Sequence, residues 1–288
     1  MKAEKLWRRW ERRRARLARS LQKLSSECLA EGSAEQVHDI RVTLRRLRLI
    51  VRPAKPILPS KTLALLREWS RTITDSAGEI RDLDVAIEWV KQQKDTESLC
   101  AELGEERQQH WLRWRQQARV MPARLVKALE HASGGASQSA RLKARLTRLD
   151  EKLQSKIKKE ISHFFKLPLV AQHEFRRTLR WWRYLRELYL PRRRQKTDAV
   201  LRNILRTQES IGDAQNLTVT ATLLSRRATS EQILRLRQLL TRESSGKGAK
   251  TRASFRALRA AAGWSKKRGK GSGKPSKIKP VPGVEAKA

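Results

Sequence analysis

The sequence predicts an all-α protein: two pseudo-symmetric four-helix-bundle halves packed together, with a disordered basic C-terminal tail. Three observations carry that prediction. Apolar residues recur at steps of three and four through most of residues 4–227, which is the period of one helix face. A row of His and Arg occurs twice in the same register: His38, Arg41, Arg45 and Arg48 return 135 residues later as His173, Arg176, Arg180 and Arg183. A second segment, residues 75–85, aligns without gaps on residues 209–219, sharing an acid, Ser, Gly, a second acid, Leu and Val. Repetition on this scale indicates two similar helical halves, here residues 1–130 and 139–243 of a domain spanning 1–243.

The elements follow in order. Residues 4–30 read as a helix with Trp7, Trp10, Leu17, Leu21 and Cys28 on one side. Gly32-Ser33 ends it, and Ser33 with Gln36 three residues on makes a capping box for the next. In that next helix Val37, Ile40, Leu44, Leu47 and Val51 form the apolar face. One residue on, about 100° round the helix, His38, Arg41, Arg45, Arg48 and Arg52 form a cationic row, with Arg46 beside it and Lys55 just beyond. Neighbouring arginines repel by a few tenths of a kcal/mol per pair, which a multivalent anion lying along the row reverses. Pro53 stops the helix. Two helices follow at about 60–74 and from Asp75 or Ser76 onward, then a charged helical stretch from Glu97 to Glu130 anchored by Trp111 and Trp114.

Residues 131–138, HASGGASQ, read as a linker. The order then restarts. A helix over 139–165 carries Arg141, Arg145 and Arg148 beside its apolar face, and a second stripe helix runs to about Leu190, with Phe175, Leu179 and Trp182 inward and Arg177 beside the row. Residues 197–208 and 210–227 match the third and fourth helices. LTVTATLL (217–224) alone has strand propensity, but its aligned partner LDVAIEWV reads as helix, so both are assigned helical. Residues 244–288 hold 13 Lys and Arg against one acid, with much Gly, Ser and Pro, a composition that does not offset ordering entropy; within them 252–264 can form a short helix, with Phe255, Leu258 and Ala262 on one side, when something binds it.

The formal net charge is +37, from 66 Lys and Arg against 29 Asp and Glu; self-repulsion on that scale is a cost, and the excess points to a polyanionic partner: nucleic acid, an acidic membrane surface or a phosphate polymer. Cys28 and Cys100 belong to no CxxC pair, so structural zinc is not expected and a reducing compartment is. No apolar run approaches the ~20 residues of a membrane span. His38-Asp39 spells a dyad found in metal-dependent phosphohydrolases, yet the second copy reads His173-Glu174 and no further ligand stands in a matching setting. No phosphate-cradling glycine loop, nucleophile elbow or carboxylate pair is present, so no enzyme activity, metal or cofactor is expected. The tryptophans fall mostly on apolar stripes; Trp181, off the stripe among arginines, is placed to stack on a base or a guanidinium.

These motifs resemble the CHAD domain, the conserved histidine α-helical domain. The H-x-x-R-x-x-x-R-R-x-R signature is met by His38, Arg41, Arg45, Arg46 and Arg48. R-D-x-D-V after a Gly is met by Gly78, Arg81, Asp82, Asp84 and Val85, and the second stripe by His173, Arg176, Arg180, Arg183 and Tyr184. The resemblance covers about residues 4–240, and it fails where Asn216 and Thr218 replace the two acids, which confines any role of those acids to Asp82 and Asp84. It implies two helical bundles with a basic surface or pore between them, binding inorganic polyphosphate and linked to polyphosphate granules; the expected location is the cytoplasm, at such granules or at the nucleoid. The alternative is nucleic-acid binding, with DNA held through the Lys-rich tail and the stripes as phosphate contacts.

Overall fold

The structure is a computed structural model that describes residues 2–75, 77–131, 136–227 and 230–264. Among the described residues it holds eleven α-helices, two short 3-10 turns and no strand. The first half is α1 (Ala3–Ala30), α2 (Ala34–Val51), α3 (Ser60–Thr74), α4 (Ala77–Val90), α5 (Glu97–Gln117) and α6 (Ala123–Glu130). The second is α7 (Ala136–Glu160), α8 (Leu169–Tyr189), the single turn α9 (Arg192–Gln195), α10 (Ala199–Ser225) and α11 (Glu231–Ala261). The repeat pairs α1 with α7, α2 with α8, and α3 plus α4 with α10, and across the molecule α1 packs on α7, α2 on α8 and α4 on α10.

The helix ends follow the local chemistry. Ser33 Oγ accepts from Gln36 N at 3.3 Å and the Gln36 side chain accepts from Ser33 N at 2.9 Å, the reciprocal box that opens α2. Gly32, at φ +65°, closes α1; a Cβ there would overlap the Trp111 indole, so only glycine fits. Several indoles serve helix ends as well as the core. Trp10 donates to Ile50 O (2.8 Å), Trp111 to Cys28 O (3.2 Å) and Trp114 to Ile73 O (3.2 Å), each a carbonyl in the last turn of a helix. Arg14, fully buried, donates to Leu129 O and Glu130 O at the end of α6 while lying 4.2 Å over Trp10. Burial lowers its pKa to about 10, which leaves it charged at neutral pH.

Neither half keeps a core of its own. One cluster joins the apolar faces of α1, α2, α7 and α8; the other joins Leu83, Trp89 and Leu103 of the α4–α5 hairpin to Leu217, Leu236 and Leu240 of the α10–α11 hairpin. A shared interior holds the two stripe helices side by side.

Several sequence expectations need correction. The charged stretch 97–130 breaks at residues 118–122, where Ala118 leaves helical geometry and Pro122 opens α6. The helices expected at 197–208 and 210–227 are one: Thr207 and Ser210 turn their hydroxyls onto their own helix, where the first half breaks at an extended Asp75. Ser76, the alternative cap of α4, lies outside the described residues, as do residues 132–135 of the linker, while α7 begins already at Ala136.

The largest difference is the tail. There is no boundary at 243/244, because α11 runs through Ser244, Gly246 and Gly248 and buries Thr251, Phe255 and Leu258. Phe255 lies 5.1 Å from Phe164 and 5.8 Å from Phe175, and Trp264 stacks on Trp182 at 5.2 Å and 18°. Each helical glycine costs about 1 kcal/mol against alanine, but burying one large apolar side chain contributes about 1.5–3 kcal/mol, so packing outweighs composition. The rest of the expected tail, residues 265–288, lies outside the described residues.

Candidate functional site

The duplicated rows come together. Their apolar faces are buried as the periodicity requires, with Val37, Ile40, Leu44 and Leu47 on α2 and Phe175, Leu179 and Trp182 on α8. That burial turns Arg45 of α2 toward Arg176 and Arg180 of α8. Burial lowers the Arg180 pKa to about 10, with the charge of Arg45 the next cause; the Arg176 guanidinium is lowered in the same way and in the same order. Arg45 is itself lowered, first by burial, and its Nε is buried without an acceptor. Buried donors without partners are rare in native structures.

Around this meeting point lies a cavity of about 410 Å³. The first half contributes Arg45, Arg48, Arg52, Lys55 and Arg67; the second contributes Arg177 and Arg180. Trp181, Tyr184, Leu49 and Leu63 form its apolar wall, and no carboxylate lines it. A neighbouring cavity of about 440 Å³ shares Arg52, Arg177 and Trp181 and adds Arg145, Arg148, Lys152 and Lys156 of α7. Its one acid, Glu174, is held by Arg177 at 2.8 Å. Arg52 lies 4.6 Å over Trp181, so that indole takes a guanidinium, one of the two partners expected of it. The two cavities form one cationic trough across the junction of the halves.

Eight of the expected site residues line the trough: Arg45, Arg48, Arg52, Lys55, Arg145, Arg148, Arg177 and Arg180. The other seven stand elsewhere. Arg41 and Arg176 occupy equivalent seats, each crossing a helix over the repeat's glycine, Gly78 or Gly212. Arg183 is engaged by Gln208 at 2.9 Å and Glu187 at 3.1 Å, so it braces the wall rather than facing the trough. Arg46, about 100° from Arg45 on α2, faces a different cavity. Arg141 is exposed on α7 and lines none of these cavities.

His38 and His173 are exposed at the heads of their rows. Both pKa values are lowered, first by the partial desolvation of the ring against its helix and then by arginines, Arg81 and Arg45 for His38, Arg180 and Arg176 for His173. Asp84 holds Arg107 at 2.8 Å, with both side chains largely buried, while Asp82 supplies a compensating charge near Arg41. The described residues contain no group of acids, histidines or cysteines that could hold a metal ion.

Sequence reasoning missed Arg67, a single arginine on α3 with no periodic partner, and it left Lys152 and Lys156 out of the site although they continue the α7 row.

Fold and trough define a class: an internally duplicated, all-helical domain with a cationic trough where its halves meet. Residues 4–225 match the family model of the CHAD domain, and the chain belongs to that family. The crystal structure of the CHAD domain from the plant Ricinus communis is similar in fold over 91% of this chain and 92% of that one, with a TM-score of 0.59 at 19% identity. No curated protein matches the sequence. No helix among the described residues is long and apolar enough to cross a membrane.

Proposed function

We propose that this protein is a non-enzymatic binding module for inorganic polyphosphate, held along the trough, in the cytoplasm and at polyphosphate granules. The observation that carries the reading is the cavity at the junction: seven cations from both halves and no carboxylate, with the Arg45 Nε lacking an acceptor. A phosphate chain carries about one charge per unit and offers only charge and oxygen acceptors, which guanidinium forks meet in bidentate fashion. Membership of the CHAD family, whose members bind polyphosphate-like anions, supports the same partner. The lining supplies groups that hold phosphate, and its one acid is already paired with Arg177, which supports a binding role.

Duplex DNA carries comparable charge, but its phosphates are fixed on a broad cylinder. It can meet the exposed Arg48 and Lys55, not the recessed Arg45 and Arg180. The test is competition between labelled long-chain polyphosphate and duplex DNA for the full-length chain at fixed salt. The full chain is needed because cutting after Glu243 removes buried Phe255 and Leu258. Polyphosphate is expected to win by at least about 100-fold, two charge-assisted hydrogen bonds at about 1.5 kcal/mol each, and Arg45→Gln/Arg48→Gln/Arg180→Gln is expected to erase the preference. Equal affinity of the unaltered protein for the two polymers would move the reading to nucleic acid.

A further inference from the structure

A separate cavity of about 760 Å³ opens against another face of α2. Its cations are all arginines: Arg9, Arg12, Arg13 and Arg16 of α1, Arg46 of α2 and Arg192 of α9. None of them lines the trough. Tyr184 stands between the two spaces. It lines the trough, while the Arg46 guanidinium lies 5.2 Å from its ring on the way to the second cavity. The one acid lining this space, Glu187, is neutralised twice, by Arg13 at 2.6 Å and by Arg183 at 3.1 Å. The Arg46 Nε is buried without an acceptor, and Arg12, Arg16 and Arg192 are exposed and pair with no acid among the described residues. Leu17, Leu188 and Pro191 supply apolar walls.

An all-arginine lining differs in chemistry from the mixed Arg and Lys trough. Guanidinium forks impose planar, bidentate geometry, whereas ammonium groups give diffuse attraction suited to a chain free to slide. Arg12 and Arg16, four residues apart on α1 and paired with no acid among the described residues, repel each other until an anion lies across them. We propose that this cavity is a second site, filled independently of the trough, for a compact oligophosphate. That a second anion site exists follows from the arginines themselves; the preference for phosphate over carboxylate rests on the function proposed above.

Calorimetric titration of the full-length chain with tripolyphosphate tests it. Two ligands per chain are expected. Arg12→Gln/Arg16→Gln/Arg192→Gln, at exposed positions where the thermal midpoint should not move, is expected to remove one of them; Arg48→Gln/Arg52→Gln is expected to remove the other. Two ligands retained in the first variant, a single ligand in the unaltered chain, or loss of both in the first variant would each overturn an independent second site. Two ligands retained in the second variant would instead overturn the trough and leave this site standing. A nucleoside triphosphate that displaces tripolyphosphate from the Arg48→Gln/Arg52→Gln protein would assign the site to nucleotides, and failure to displace would assign it to the bare oligophosphate. Displacement by citrate at equal concentration would overturn the phosphate class.

Discussion

In the first half Arg41 crosses α4 beside Gly78, where a Cβ would stand 3.7 Å from its Nη1; in the second Arg176 crosses α10 beside Gly212, where a Cβ would stand 2.8 Å from its Nη2. The two seats share a plan and differ in how the guanidinium is compensated. Arg41 has the charges of Asp82 and Asp84 near it. Arg176 has the Gln215 amide as a hydrogen-bond partner and the charge of Asp213 near it, an acid that Lys247 and Lys250 of α11 also approach at 3.8 and 3.6 Å. The repeated feature is a glycine that lets an arginine lie against a helix backbone. What diverged is the support behind it: an ion-paired acid in one half, a C-terminal helix in the other.

That contrast can be broken at its strongest point. Phe255→Ala is expected to cost about 3–5 kcal/mol, read as a shift in the denaturation midpoint, because it opens a cavity among Phe164, Phe175 and the α11 turn. A cost below about 1 kcal/mol would mean that α11 does not support the second half.

Next in size is the first half's own support. Asp84→Asn leaves Arg107 without its counter-charge in a mostly buried setting and is expected to cost about 3 kcal/mol by the same measurement. Thr218→Ala, at the equivalent exposed position, should stay within about 0.5 kcal/mol. Equal effects would erase the asymmetry.

The glycine seats give a smaller and more diagnostic pair. Gly78→Ala meets only ordinary van der Waals distance and should stabilise α4 by up to about 1 kcal/mol. Gly212→Ala gains the same helix propensity but displaces the Arg176 guanidinium from Gln215, a hydrogen bond of about 1 kcal/mol, so no net gain is expected. A thermal midpoint raised equally by both substitutions would show that Arg176 has no fixed seat.

The smallest effect is on pH. His38 and His173 titrate below the ordinary imidazole value of about 6.5, so the folded chain binds fewer protons than the unfolded chain as pH falls through that region. Their contribution to stability is therefore present above about pH 6.5 and is lost as pH drops through the lowered values. A polyanion in the trough offsets the arginine field and should bind a few-fold more tightly at pH 5.5 than at 7.5. In His38→Gln/His173→Gln both slopes should flatten; unchanged slopes would take these rings out of the linkage.

Much of this arrangement was legible one helix at a time. The apolar steps fixed which face of α2 and α8 is buried, and hence that the arginines stand at the edge of the core; Ser33 and Pro53 marked ends that the structure keeps. In the tail the spacing of Phe255 and Leu258 showed a short helix over 252–264, but not its continuity with 231–251 or its docking: Ser, Gly and Lys report local propensity, while Phe255 and Trp264 are held by rings far away in the chain. Nothing in the sequence sets Arg14 apart from the other arginines of α1; its burial depends on the carbonyls that α6 brings to it.

By itself, then, the sequence determined the duplication, the helical phase of each cationic row and the excess of positive charge. Which guanidinium groups share a cavity was decided only by tertiary packing. Helical period sets the direction a side chain leaves its own axis, but the element waiting there is set by the crossing of other helices. Arg45 and Arg46 are adjacent in the chain and about 100° apart, and the docking of α8, α1 and α9 sends one to the trough and the other to the arginine cavity.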